Sequence, residues 1–410
     1  MHKVIFVLLI IQPFVNKLTL KAGVPFDIYN ELISLVVFFL FVYRFFKNHK
    51  VNRNYLYILY IVLYMVFVTI LRRNGGLSYV QILLYLQFFF YFLYFYSFSP
   101  YVKERMIRDI KVLLDYVVVV IIAFTFYEVY FSSDVRNFFG VSNFNRGIGN
   151  FYLVSIFGSG PSLASFMSLY VIYWFYYHKV LSHKNNVRQS VLLYLSVIIC
   201  LLSFSRKEVL LLSSFFVFFP YSIKSKLQRT LKIIVAAVVV CAGLFIYYQE
   251  FFQEANEVAM TDDYVRWQIL QYSVDVFDKY APFGSGPGTF GSQMSLQQTH
   301  VYNEFNIGRR ILGDGLANRG PIYDVFLFTF IAEIGIGFLL YGAFFLKLAR
   351  SVILKEGRAK RFIVRFLVFY LFIMSMFTPV LMNSFGFLLA STLGVFVTII
   401  GTKRFSSEYA

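Results

Sequence analysis

Apolar runs long enough to cross a lipid bilayer recur along almost the whole of this 410-residue chain, and no other feature limits its fold as much. Roughly 20 helical residues cross the ~30 Å hydrocarbon core. Inside that core every backbone N–H and C=O must be satisfied within the chain, so runs of this length read as helices. We place them near 4–16, 28–46, 55–71, 77–98, 112–131, 160–178, 190–204, 207–221, 231–249, 323–346, 362–380 and 384–401. The expected fold is an all-α polytopic membrane protein of about twelve transmembrane helices, the first and the seventh–eighth pair being short for a span. The first run follows Met1, His2 and Lys3 without a small-residue cleavage site, so it reads as an anchor and not as a removable signal. Composition agrees: 59% of residues are hydrophobic, 14% are charged and the mean hydropathy is +0.67, whereas soluble domains are about half apolar and a quarter charged.

The runs divide the chain into residues 1–249 with nine expected spans, a long polar loop at 250–322, three more spans at 323–402 and a tail at 403–410. With the N-terminus in the cytoplasm, strict alternation puts 25 of the 38 Lys and Arg residues inside and 13 outside. That is the bias expected of a chain with both termini cytoplasmic. The formal net charge of +17 is thereby read as topology and contact with anionic headgroups, not as a nucleic-acid surface. The loop at 250–322 falls on the extracytoplasmic side.

Within that loop, Phe283 to Ser292 reads FGSGPGTFGS, and Gly286-x-Gly288-x-x-Gly291 matches the dinucleotide fingerprint in spacing. The fingerprint acts only where a strand enters the loop and a helix leaves it. The preceding DKYAP is no buried strand, and no nucleotide pool is expected on that side. The glycines then supply a turn with positive φ, a role compatible with closeness to a ligand. Cys200 and Cys241 fall within expected spans, where a thiol acts as a small hydrophobe. No metal or cofactor motif is legible.

Polar residues on the outer side carry the candidate chemistry. Thr261-Asp-Asp-Tyr-Val-Arg266-Trp267 opens an expected helix of about five turns running toward Pro282. Val265, Ile269, Tyr272 and Val276 form its apolar face, toward the membrane surface or the bundle. Arg266 stands four residues after Asp262, which makes it either an exposed ion pair or a functional cation. Arg206, in Phe204-Ser205-Arg206-Lys207-Glu208, sits between two short spans at the outer face, where it either snorkels to headgroups or binds a ligand. Arg146 lies in the outer loop NFNRGIGN, ahead of Gly158-Ser-Gly-Pro161-Ser-Leu-Ala164.

In this order the motifs resemble the bacterial O-antigen polymerase and O-antigen ligase superfamily. The similarity rests on an Arg-then-Gly loop leading to a G-x-x-P-x-x-A helix start, a Ser-Arg between two spans, and an Arg-Trp helix. Further on come Pro282-Phe-Gly284-Ser-Gly286-Pro-Gly288-Thr-Phe290 and Glu333-Ile-Gly335-Ile-Gly337, near that family's P-x-G-x-G-x-G-x-F and E-x-G-x-x-G. The motifs cover roughly residues 140–340. The resemblance implies a membrane glycosyltransferase of the C type in the bacterial inner membrane. It would act on undecaprenyl diphosphate-linked oligosaccharide without a nucleotide donor, cofactor or metal, alongside a chain-length regulator in the same membrane.

That chemistry suits the residues. Guanidinium groups bind diphosphate oxygens bidentately and stabilise the departing anion, so Arg206, Arg266 and Arg146 are the expected diphosphate ligands, with Gly284, Gly286 and Gly288 forming a loop near the substrate. One general base is then needed. His300 is the single histidine on the outer side, but it stands over thirty positions before Glu333, whereas Asp324 is nearest to the ligase branch's His spacing. The base is therefore His300, Asp324, or none if acceptor positioning suffices. The displaced His and the Phe and Tyr content favour a polymerase; the alternatives are an O-antigen ligase acting on lipid A core and a lipid-linked oligosaccharide flippase.

Overall fold

The computed structural model describes residues 2–21, 27–48, 53–139, 152–220, 265–312, 325–351 and 357–397, and these are helical with no strand among them. The helices are α1 (His2–Lys21), α2 (Asp27–Asn48), α3 (Arg53–Leu71), α4 (Gly76–Tyr96), α5 (Pro100–Tyr130), α6 (Ser132–Phe139), α7 (Gly160–Phe175), α8 (Val187–Leu202) and α9 (Arg206–Phe218). They continue with α10 (Val265–Tyr280), α11 (His300–Glu304), α12 (Arg309–Leu312), α13 (Phe326–Ile334), α14 (Phe338–Ser351), α15 (Arg358–Phe377) and α16 (Ser384–Phe396).

Helices occupy each expected run except 231–249, which lies outside the described residues. Among the described residues three stretches are long and apolar enough to cross a membrane: Gly76–Tyr96, Pro100–Tyr130 and Phe326–Arg350. Four others, Lys3–Gln12, Leu56–Leu71, Val187–Leu202 and Ser384–Phe396, are apolar but shorter. Helix and apolar run do not coincide at their ends. α5 begins at Pro100 and not near 112, because its charged first turns pair along the helix: Arg108 lies 4.0 Å from Glu104 and Lys111 2.6 Å from Asp115. Hydropathy marked where charge stops; the helix starts where Pro100, at its first turn, allows it.

α4 is the central element. Its apolar residues go all the way round, and it is buried on most sides, as such a helix must be. α16 packs along it, presenting Gly386, Ala390 and Gly394 at intervals of four. At Gly394 a Cβ would stand 2.5 Å from the Phe92 carbonyl, so only a glycine permits this approach. Tyr91 stacks on Phe387 at 4.8 Å. α3 and α5 instead expose apolar stripes, Leu59, Leu63, Phe67 and Ile70 on one, Tyr116, Val120 and Phe126 on the other. Faces of this kind are stable against lipid and not against water.

Several turns between helices meet one another. Gln81, near the start of α4, accepts from Met294 N–H and reaches Met382 in the turn before α16. The same turn supplies Asn383, which caps α16 by accepting from Gly386 N–H at 2.7 Å. α10 packs on α13, burying Ile269 and Val276 with Phe290, Val301 and Tyr302. Its apolar face therefore joins the bundle; residues 261–264, expected to open this helix, lie outside the described residues.

Candidate functional site

The expected span 323–346 is interrupted: α13 ends at Ile334, Gly335–Gly337 form a 3₁₀ turn, and α14 starts at Phe338. A break of this kind frees carbonyls at the end of α13, and deep in an apolar bundle they need partners. The glycine loop provides them. Ser285 N–H donates to Ala332 O at 3.0 Å and Gly286 N–H to Glu333 O at 2.8 Å, while Ile336 N–H returns a bond to Pro282 O at 2.9 Å.

Glu333 locks the two pieces together. It is fully buried. Its Oε1 accepts from Thr289 N–H at 2.8 Å, Phe290 N–H at 2.7 Å and Ser292 Oγ at 2.6 Å, and its Oε2 accepts from Tyr85 OH at 2.6 Å. All four partners donate, the arrangement an acceptor-only carboxylate requires. From the α3–α4 turn, Arg72 Nε donates to Gly284 O at 2.9 Å and its guanidinium also reaches Tyr280 O, while Asn74 Nδ2 donates to Ser285 O at 3.1 Å. Tyr64 OH donates to Ile334 O at 2.9 Å.

The glycines are needed by this packing. Gly284, Gly286, Gly288 and Gly291 all have positive φ. A Cβ on Gly284 would lie 2.4 Å from Glu333 O, on Gly286 2.0 Å from Asn74 Nδ2, and on Gly288 3.0 Å from Gln298 Nε2. A helix, α10, and not a strand leads into the loop, and a 3₁₀ turn at Ser295–Gln297, not an α-helix, follows it, so the dinucleotide geometry is missing here.

A second cluster adjoins the first through the turn at 378–384. Glu128, inside α5, accepts Val154 N–H at 2.9 Å and Ser155 N–H at 2.7 Å, shaping the turn at 155–157. Leu153 N–H donates to Leu202 O at 3.1 Å, and Gly160 lies so near Ser203 O that a Cβ would stand 2.8 Å away. The segment Gly160-Pro161-Ser162 is thus pressed against Ser203-Phe204-Ser205. Beside this contact opens a cavity of about 110 Å³, lined by Pro161, Ser162 and Ser165 of α7, Lys207 and Glu208 of α9, and Thr378, Asn383 and Ser384, with Phe157, Phe166 and Phe385 among its apolar walls. Glu208 is fully buried; it accepts from Ser165 Oγ at 2.9 Å and from Ser205 Oγ, with Lys207 Nζ 3.9 Å away.

Of the residues singled out by sequence, Arg206 is the exposed first residue of α9, next to the cavity-lining Lys207 and Glu208. His300 is exposed at the start of α11. The same short helix ends in Glu304, whose carboxyl is held below its ordinary value by Lys279 and then by the Tyr280 hydroxyl. Arg266 stands in the first turn of α10, its side chain outside the described residues, and Arg146 and Asp324 lie outside them altogether. Sequence reasoning missed Glu208, Arg72 and Asn74. No signal in the sequence sets Glu208 apart, since it directly follows Arg206 and Lys207 in a charged connection.

A scan against protein-family models finds no match, and a search of curated proteins finds none.

Proposed function

We propose that this chain is a polytopic inner-membrane glycosyltransferase, with about twelve spans and both termini cytoplasmic, that polymerises an O-antigen or similar surface polysaccharide. It would transfer the growing glycan from undecaprenyl diphosphate to a new lipid-linked repeat unit on the extracytoplasmic side. One observation carries the reading. Four of the motifs behind the resemblance meet as two adjoining pairs: the G-x-x-P-x-x-A helix start lies against the Ser-Arg turn, and the P-x-G-x-G-x-G loop lies against E-x-G. Motifs over forty residues apart in the chain are thereby brought into contact, as the parts of one site would be.

Arg206, Arg266 and Arg146 would hold the donor diphosphate, each fork matching two oxygens and stabilising the leaving anion as the glycosidic bond forms. His300 or Asp324 would serve as base from the outer loop. A flippase would carry charges along a central path. The buried carboxylates Glu128, Glu208 and Glu333 are instead each engaged by fixed donors of the protein, which favours an enzyme.

The test is transfer by purified protein in lipid vesicles supplied with lipid-linked repeat units. The expected product is a polymer series with undecaprenyl diphosphate released at each addition. Arg206→Lys and Arg266→Lys keep the charge and lose the fork, and each should lower the rate on the order of 100-fold at normal protein level. Rates near wild type for both would remove the clamp, and movement of lipid-linked units across the vesicle without transfer would favour a flippase.

A further inference from the structure

We propose that Glu208, in place of His300 or Asp324, receives the proton of the acceptor sugar's hydroxyl and that the cavity around it is the acceptor site, an inference that rests on the glycosyltransferase reading. The cavity's chemistry selects its ligand. Glu208 and Lys207 line it as a pair, leaving no net positive charge to hold a phosphate, while Ser162, Thr378, Asn383 and Ser384 offer the mixed donors and acceptors that sugar hydroxyls match. Phe166 and Phe385 add apolar wall for the C–H face of a pyranose. The volume of about 110 Å³ lies well below the roughly 300–1,000 Å³ of sites that enclose a whole drug-sized ligand. It suits the edge of one sugar, the rest of the lipid-linked unit remaining outside.

Glu208 is suited to its role by what it leaves unused. Ser165 and Ser205 each donate to one of its oxygens, so lone pairs remain on both. Lys207, 3.9 Å away, offsets the cost of burying the charge. Arg206 begins the same helical turn on its exposed side. One turn would thus hold the donor's diphosphate at its rim and the acceptor's hydroxyl inside. In the step, the acceptor oxygen bonds to the donor's anomeric carbon as the bond from that carbon to the phosphate oxygen breaks. The hydroxyl proton passes to Glu208 and then to water, and undecaprenyl diphosphate leaves as the anion.

The test uses full-length protein in lipid vesicles and lipid-linked repeat units extracted from cells lacking the gene. Glu208→Gln should lower kcat at least ~100-fold with the acceptor KM changed by less than about threefold, since the amide still binds a hydroxyl but takes no proton. Ser384→Cys should be shielded from a maleimide by the lipid-linked unit and not by undecaprenyl diphosphate alone. A kcat for Glu208→Gln within about threefold of wild type would overturn the proton transfer, and equal shielding by both lipids, or by neither, would overturn the acceptor site. Should Glu208→Gln fail to accumulate, the Ser384→Cys result decides. Shielding of Ser384→Cys by the lipid-linked unit together with no polymer from the wild-type protein would mark failure of the polymerase reading itself, and Glu208's part in transfer would fall with it.

Discussion

Glu333→Ala is expected to collapse the glycine loop and strip the protein of most of its stability, whereas Glu333→Gln should be far milder. Alanine leaves two backbone N–H groups and two hydroxyls, those of Thr289, Phe290, Ser292 and Tyr85, buried without their acceptor. Each such group left without an acceptor costs about 1–3 kcal/mol, and four are left together. Glutamine retains an acceptor for the three groups on Oε1, and the Tyr85 hydroxyl can rotate to accept from the new amide. The measurement is thermal unfolding in detergent followed by size-exclusion chromatography. An alanine variant within about 1 kcal/mol of wild type would mean that the loop is held by other contacts.

Gly335→Ala is expected to have an effect of similar size through the backbone alone. Gly335 has φ +53, and a Cβ there would stand 2.2 Å from Pro282 O and 2.4 Å from the Phe283 carbonyl carbon, atoms that cannot swing away as a side chain can. Strain at such a φ costs on the order of 1–3 kcal/mol, and the clash adds displacement of the whole 282–286 segment. Gly342→Ala is the control. That residue sits inside α14 with nothing within 4 Å of its Cβ position, so alanine there should be neutral or stabilising by up to ~1 kcal/mol. Equal stability of the two variants would show that the turn relaxes freely.

Much of the architecture was legible because apolar length sets helix position so directly. The helix starts at Gly160 and Ser384 match the apolar runs at 160–178 and 384–401, and Pro161 marks the first of them. The break at Gly335 was not legible in that way. Its neighbours Ile334 and Ile336 are as apolar as any span, and only the packing of Pro282 against this point reveals why the helix stops. The site was half visible. Gly284 and Glu333 stood out as motif residues, yet nothing local in sequence says that one carboxylate collects four donors from segments more than forty residues and some 250 residues away. Glu208 was hidden for a related reason. It reads as part of a short charged connection, Arg206-Lys207-Glu208, and becomes distinctive only once Ser165 from another helix closes over it.

The lipopolysaccharide of a strain lacking this gene tests the central claim most directly. The expected pattern on a gel is core carrying a single repeat unit and nothing longer, with the full ladder restored when the wild-type gene is returned. An unchanged ladder, or loss of even the first repeat unit, would contradict a polymerase.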